Sequence, residues 1–319
     1  MDNAFLLQDR IQKIRQIIGK YGEENFYISF SGGKDSTVLS FLIDMAIPTN
    51  RIPRVYANTG IELNMIRDFV LELQKADDRI IIIKPSTPIK PMLERDGYPF
   101  KSKTHAHHWE RYNRIGMCKS ILQYLGERTD KEPWSGYNSC PEKLKYQFTQ
   151  EFTAFKISDK CCVNLKEKPL QEYAKKSGKK YGINGVMKDE GGRRVNSVCL
   201  VMRDNKLSMF QPLSPITKEW ENWFIQTYNI KICDIYYPPY NFERTGCKGC
   251  PFARYLQNEL DTLESFFPEE ARQAEFIWQP VYQEYRRLGY RLKQKKKTVS
   301  DLQMTIMDYM EQTNDKEDK

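Results

Sequence analysis

The 319-residue chain has no apolar run of bilayer length. Its purely apolar stretches, such as Ile80–Ile83 and Val198–Met202, run to a handful of residues, where a membrane-spanning helix needs about 20. The opening residues, MDNAFLLQDRIQK, carry acid early and hold no apolar segment ahead of a small-residue cleavage site. We therefore expect no membrane association, no secretory signal and a cytoplasmic protein. No internal repeat and no low-complexity tract is present, which excludes solenoid, collagen-like and disordered classes. Hydrophobic residues make up 40% and charged residues 29%, enough for a soluble protein with a full buried core.

The net charge of +8 is unevenly placed. Residues 279–297 hold seven Lys/Arg (Arg286, Arg287, Arg291, Lys293, Lys295, Lys296, Lys297) against Glu284 alone. Residues 156–194 hold eleven Lys/Arg against five acids. Basic patches attract phosphate-bearing partners, from nucleotides to nucleic acid, although a solvated surface gives the same pattern. Tyr282, Tyr285 and Tyr290 alternate with the arginines of the first segment, an arrangement that suits base stacking or core packing.

Apolar spacing predicts a helix over residues 6–20. Phe26–Phe30 (FYISF) reads as a strand, followed by the turn Ser31-Gly32-Gly33-Lys34-Asp35-Ser36 and a helix over Thr37–Met45. A second unit repeats this order: strand Arg54–Ala57, turn Asn58-Thr59-Gly60, helix Glu62–Lys75. Ile80–Lys84 is a third strand. Alternating strands and helices predict an α/β fold, a twisted parallel sheet with helices on both faces. Ligands of such sheets sit at the carboxyl ends of the strands. Residues 85–155, rich in Trp, Tyr, Pro and His, read as an irregular insert with short helices. Further strands are expected at Gly182–Met187, Val198–Met202 and Leu207–Gln211, and helix from Pro215 onward. Helices at about 253–266, 270–289 and 299–312 complete the chain. The division is thus a nucleotide-binding α/β domain over residues 1–250 and a helical C-terminal region over 251–319.

A turn between strand and helix presents free backbone N–H groups at the positive end of the helix dipole. Gly32 and Gly33 let a phosphate approach the backbone, and Ser31 and Ser36 add hydroxyls. Lys34 supplies a cation, and Asp35 can hold Mg²⁺ or orient an amide. The Walker spacing GxxxxGK[ST] is absent. The sequence instead resembles the PP-loop, SGGxDS, of the adenine-nucleotide α-hydrolase superfamily, whose members grip ATP so that its α–β bond breaks.

Eight cysteines are present, at 118, 140, 161, 162, 199, 233, 247 and 250. In a reducing compartment, paired spacings point to metal or redox work. Cys161-Cys162 and Cys247-Lys248-Gly249-Cys250 are separated by 84 residues. Four thiolates in two pairs can close a site for zinc or for an iron–sulfur cluster. Neighbouring side chains diverge, which suits separate irons of a cluster better than one zinc. Cys118, Cys140, Cys199 and Cys233 lack paired spacing and read as plain thiols. His105, His107 and His108, in HAHHW, read as a surface or substrate-contacting loop.

A PP-loop followed by CC and then CxxC resembles the phosphoadenosine phosphosulfate (PAPS) reductase family, in its iron–sulfur form. The likeness includes Asn58-Thr59-Gly60, Lys160-Cys161-Cys162, Lys168-Pro169-Leu170, Gly185-Val186-Met187 with Glu190, Arg193 and Arg194, and Arg244–Phe252. It spans about residues 25–255. The resemblance implies a Rossmann-like PP-loop fold and a 4Fe–4S cluster on Cys161, Cys162, Cys247 and Cys250. It also implies a nucleotide, ATP or adenylylsulfate/PAPS, at residues 31–36 and 58–60, with phosphate or sulfate near Glu190, Arg193 and Arg194. The reductases take sulfite on a mobile C-terminal cysteine, and this chain has no cysteine after Cys250. The intact SGGKDS looks more like the ATP-cleaving relatives. The expected function is therefore ATP pyrophosphatase chemistry with Lys34 and Asp35 catalytic, coupled to sulfur transfer. Sulfonucleotide reduction is the alternative, and a non-catalytic nucleotide- and cluster-binding module is a second. Expected partners are a nucleic-acid acceptor, a sulfur-donor or reductant protein, and further copies of the chain.

Overall fold

A computed structural model describes residues 2–128, 130, 138–149, 152, 154–190 and 192–293. Helix α1 (Asn3–Tyr21) is capped by Asp2, whose carboxylate accepts from Ala4 N at 3.1 Å. It buries Leu7, Ile11, Ile14, Ile17 and Ile18, the stripe its sequence spacing predicts. Three β–α steps follow: β1 (Phe26–Phe30), α2 (Lys34–Ala46), β2 (Arg54–Ala57), α3 (Asn64–Ala76) and β3 (Ile80–Ile83).

The chain next forms α4 (Ile89–Asp96), α5 (Lys103–Ile115) and α6 (Lys119–Leu125), then a 3₁₀ turn at Glu142–Phe148. The helical turn α7 (Lys160–Cys162) runs through a π-helical turn, Val163–Glu167, into α8 (Lys168–Lys176). Strand β4 (Tyr181–Ile183) returns to the sheet. Strands β5 (Leu200–Arg203) and β6 (Lys206–Phe210) form a hairpin whose turn residues, Asp204 and Asn205, hold φ of 48° and 57°. Asp and Asn tolerate that left-handed geometry, which matches the twist of a tight hairpin. Helices α9 (Lys218–Thr227), α10 (Leu256–Phe266) and α11 (Pro268–Leu288) complete the described chain.

The six strands are ordered β3-β2-β1-β4-β6-β5, parallel except for the edge strand β5. Alternation along β1 decides its two faces. Phe26, Ile28 and Phe30 enter a core shared with α1, α2 and α9. Tyr27 faces the other way, its ring 6.2 Å from Tyr173 of α8. Helices thus cover both faces, as expected. A second core joins α4–α6 to α10 and α11, with the Phe100 and Tyr285 rings 4.6 Å apart.

Strand order reverses at β1: β2 and β3 lie on one side, β4 on the other. The crevice between the carboxyl ends of β1 and β4 is where such sheets receive ligands.

Three expectations need correction. The strand expected at Gly182–Met187 ends at Ile183. Beyond it the chain turns over α2, and Gly185 comes so close that a Cβ there would lie 2.9 Å from the Asp35 carbonyl oxygen. The HAHHW segment is helix, not a surface loop. Ser102 caps α5 by accepting from His105 N, and His105 and His108 are buried. His105 is held between the Tyr124 hydroxyl and the Gln147 amide oxygen, each at 2.8 Å, and burial lowers its pKa to about 3. Lastly, Tyr282 and Tyr285 are fully buried and unavailable for stacking on bases. The helix expected at 299–312 and Lys295–Lys297 lie outside the described residues.

Candidate functional site

The turn after β1 is built by its own hydroxyls. Ser31 N donates to Ser36 Oγ at 3.2 Å, and the two serine hydroxyls lie 3.0 Å apart. Ser36 and Thr37 hydroxyls both donate to the Gly33 carbonyl, at 2.9 and 3.0 Å. Gly32 has φ of 70°, and a Cβ there would meet Val70 Cγ2 at 2.5 Å, so only glycine fits. Lys34 opens α2, and its amide donates to the Tyr236 hydroxyl at 3.0 Å. That hydroxyl lies 2.5 Å from Thr245 Oγ1.

The Lys34 ammonium pairs at 3.1 Å with Glu221, a carboxylate on α9 that is fully buried. Burial first, then the neighbouring Asp35 charge, pushes the Glu221 pKa up to about 7; Lys34 opposes this. Among the described residues, neither Glu221 oxygen has a well-formed hydrogen bond apart from that ion pair. Lys34, Asp35 and Glu221 therefore form one charge cluster under the turn.

The Asn58-Thr59-Gly60 turn follows β2 at the neighbouring strand end. Thr59 donates to Glu62 through its amide, at 3.1 Å, and its hydroxyl, at 2.5 Å. Gly60 N donates to the Asn58 side-chain oxygen at 3.2 Å. Glu62 forms a β-bridge with Cys247, and Lys248 N donates to Ile61 O at 2.8 Å. The segment bearing CxxC is thus tied to the Asn-Thr-Gly turn at one point and to the glycine turn, through Thr245, at another.

Helix α11 anchors the same segment from behind. Lys248 is buried and pairs with buried Glu270 at 2.9 Å, and Glu270 also accepts from Asn64 N at 3.0 Å. Trp278 Nε1 donates to Lys248 O at 3.0 Å, Tyr282 to Gly249 O, and Tyr285 to Pro251 O at 2.9 Å. The aromatic residues of α11 are therefore donors to the carbonyls of the cysteine loop.

The two cysteine pairs lie close enough for their charges to interact. The neighbouring Cys162 raises Cys161, and the same pairing, with Lys103 and Lys166, holds Cys162 down at about 6 against burial. Cys161 is raised further by burial and by Cys162, Cys250 and Cys247. Burial and then Cys247 raise Cys250. Lys166, on the π-helical turn after Cys162, is raised first by Cys247. Four mutually coupled thiols with a lysine beside them suit a soft, thiolate-seeking centre. Among the described residues, no group of three or more His, Cys, Asp or Glu is arranged to hold a metal ion. The four sulfurs are neighbours in charge, not a closed coordination shell. The donor chemistry fits an iron–sulfur cluster.

Arg194 lies on the 3₁₀ turn Gly192–Asn196, in the connection from β4 to β5. The side chains of Glu190 and Arg193 fall outside the described residues. Of the remaining thiols, Cys140 and Cys233 are buried, and burial raises Cys140 to about 12. Glu221 and Tyr236 reach the turn from distant elements, and sequence spacing offered no sign of Tyr236. A carboxylate at a core position of the amphipathic helix α9 was the available clue to Glu221.

Residues 25–137 match the family model of the phosphoadenosine phosphosulfate reductase domain. The match includes the glycine and Asn-Thr-Gly turns and stops before both cysteine pairs. No curated protein matches the chain. A solved PAPS reductase from Candida auris, in a phosphate complex, aligns at 12% identity and a TM-score of 0.37, covering 72% of this chain and 90% of that one. A U34-tRNA thiolase from Methanococcus maripaludis, with its 4Fe–4S cluster, aligns at 14% identity and a TM-score of 0.38, covering 91% and 80%. An NH₃-dependent NAD synthetase from Campylobacter jejuni aligns at 11% identity and a TM-score of 0.37, covering 92% and 98%.

Proposed function

We propose that this chain is an ATP pyrophosphatase that adenylates an acceptor and directs sulfur to it, with a 4Fe–4S cluster on Cys161, Cys162, Cys247 and Cys250. The observation that carries this reading is the meeting of two motifs. The glycine turn 31–36 and the CxxC segment contact one another, through Tyr236 and Thr245, at the ligand-receiving end of the sheet.

In this reading the amides of residues 33–36 and the Ser31 and Ser36 hydroxyls hold the phosphates, with the dipole of α2 behind them. Asn58, Thr59 and Gly60 border the nucleotide on the adjacent strand end. An acceptor oxygen attacks the α-phosphorus. The α–β bridging bond breaks, and its electron pair leaves with pyrophosphate. Lys34 stabilises the charge gained by the leaving group. Magnesium arrives with the nucleotide, and Asp35 is the carboxylate that the turn offers it. A sulfur nucleophile then displaces AMP from the activated acceptor. When bound, the cluster would hold and deliver that sulfur. The basic segments suit a nucleic-acid acceptor, and a sulfur-donor protein completes the set of partners. Sulfonucleotide reduction is less well supported, because the intact loop Ser31–Ser36, with Lys34 in place, suits the triphosphate of ATP.

Titration calorimetry on anaerobically purified full chain tests the nucleotide assignment. ATP should bind, and more weakly to Lys34→Ala. Adenylylsulfate binding with no affinity for ATP would favour the reductase.

A further inference from the structure

Tyr236 occupies a position that the nucleotide reading leaves unexplained. The backbone N–H groups that open α2 are the donors a phosphate would use, yet the Lys34 amide already donates to the Tyr236 hydroxyl. Gly33 makes room for this contact, since a Cβ there would lie 3.1 Å from both the Tyr236 and Thr245 hydroxyl oxygens. Tyr236 stays neutral, because burial raises it to about 12. It is therefore a replaceable acceptor, weaker than a charged phosphate oxygen.

Thr245, the other partner of Tyr236, stands two residues before Cys247. The segment around it is unevenly held. Lys248 is locked by Glu270, Gln273 and Ile61 O. Glu243, Arg244 and Gly246 are exposed, and Gly246 has open space where a side chain would be. A change at Thr245 is thus transmitted through the exposed Gly246 to Cys247.

We propose that the Tyr236 and Thr245 hydroxyls are positioning residues that couple nucleotide occupancy of the glycine turn to the conformation of the cysteine-bearing segment 243–250. A nucleotide phosphate takes the Lys34 amide and displaces the Tyr236 hydroxyl. The Tyr236–Thr245 pair then rearranges, and the segment before Cys247 moves with Thr245. By linkage, whatever sets the cysteine loop also biases nucleotide affinity. The inference rests on the nucleotide assignment above and adds its connection to the cysteines.

The test is hydrogen–deuterium exchange of the full chain with and without α,β-methylene-ATP, which is not cleaved at the α–β bond, alongside titration of the same ligand. In the wild type, exchange of peptides covering 243–252 should change at least about threefold on binding. Tyr236→Phe should bind up to about fivefold more tightly, since one net hydrogen bond no longer competes, and its loop should not respond. Thr245→Val should also bind without a loop response, and Thr245→Ser should restore it. Binding with an unresponsive wild-type loop, or an equal response in Tyr236→Phe and Thr245→Val, overturns the coupling alone. Absence of wild-type binding overturns the nucleotide assignment and the coupling together.

Discussion

Replacing Glu221 with glutamine probes the charge cluster beneath the glycine turn. An acid whose pKa rises on folding binds its proton more tightly in the folded chain. Its contribution to stability is complete below the unfolded pKa and is lost as pH climbs through the folded one. For Glu221 the window runs from the ordinary 4.5 to about 7, because burial and Asp35 outweigh the pull of Lys34. That displacement is worth at most about 3 kcal/mol. Glutamine keeps the shape and removes the titration, and Lys34, partly exposed, can turn to solvent. Urea midpoints of the two proteins should therefore diverge as pH rises from 5 to 8. With an m-value of about 3 kcal/mol/M the variant should end up higher by up to about 1 M relative to its offset at low pH. Midpoints that stay parallel across this range would refute the buried, proton-holding carboxylate. Carboxylates with raised pKa values cluster at functional sites, and this one lies against the glycine turn.

Anaerobically prepared protein should be brown, with about four irons per chain. Cys247→Ser should lose the iron and Cys233→Ser retain it, whereas stoichiometric zinc without iron would exclude the cluster. Lys34→Ala should slow ATP turnover by the equivalent of ~2.7–4 kcal/mol with the fold intact by circular dichroism, and unchanged turnover would move the site elsewhere. If Lys295, Lys296 and Lys297 grip a nucleic-acid acceptor, changing all three to alanine should flatten the salt dependence of binding by roughly 0.7 per lost contact with single strands. No change in slope would assign them to solubility alone.

Motifs that are local in sequence were legible from it. FYISF, SGGKDS and the Asn-Thr-Gly turn stand where strand–turn–helix order placed them, because short-range geometry dictates their roles. The two cysteine pairs lie within electrostatic range of one another, without a metal-holding arrangement among the described residues. Long-range partners were hidden. Glu221, Tyr236 and the donors of α11 act through tertiary contacts that no spacing encodes. His105 and His108 misled for a related reason. Their polarity suggested a surface, but Tyr124 and Gln147 satisfy His105, and His108 stacks on Tyr124 at 4.5 Å. Strand β4 looked longer than it is, because Val186 and Met187 resume apolar character past the point where Gly185 turns over Asp35.

The most direct test is the bond that breaks in ATP. Anaerobic full chain would be incubated with magnesium, ATP labelled at its phosphates, total tRNA and sulfide, with adenylylsulfate in a parallel reaction. The account predicts AMP and pyrophosphate in equal amounts, with no ADP. ADP with orthophosphate, or sulfite released from adenylylsulfate while ATP remains intact, would contradict it.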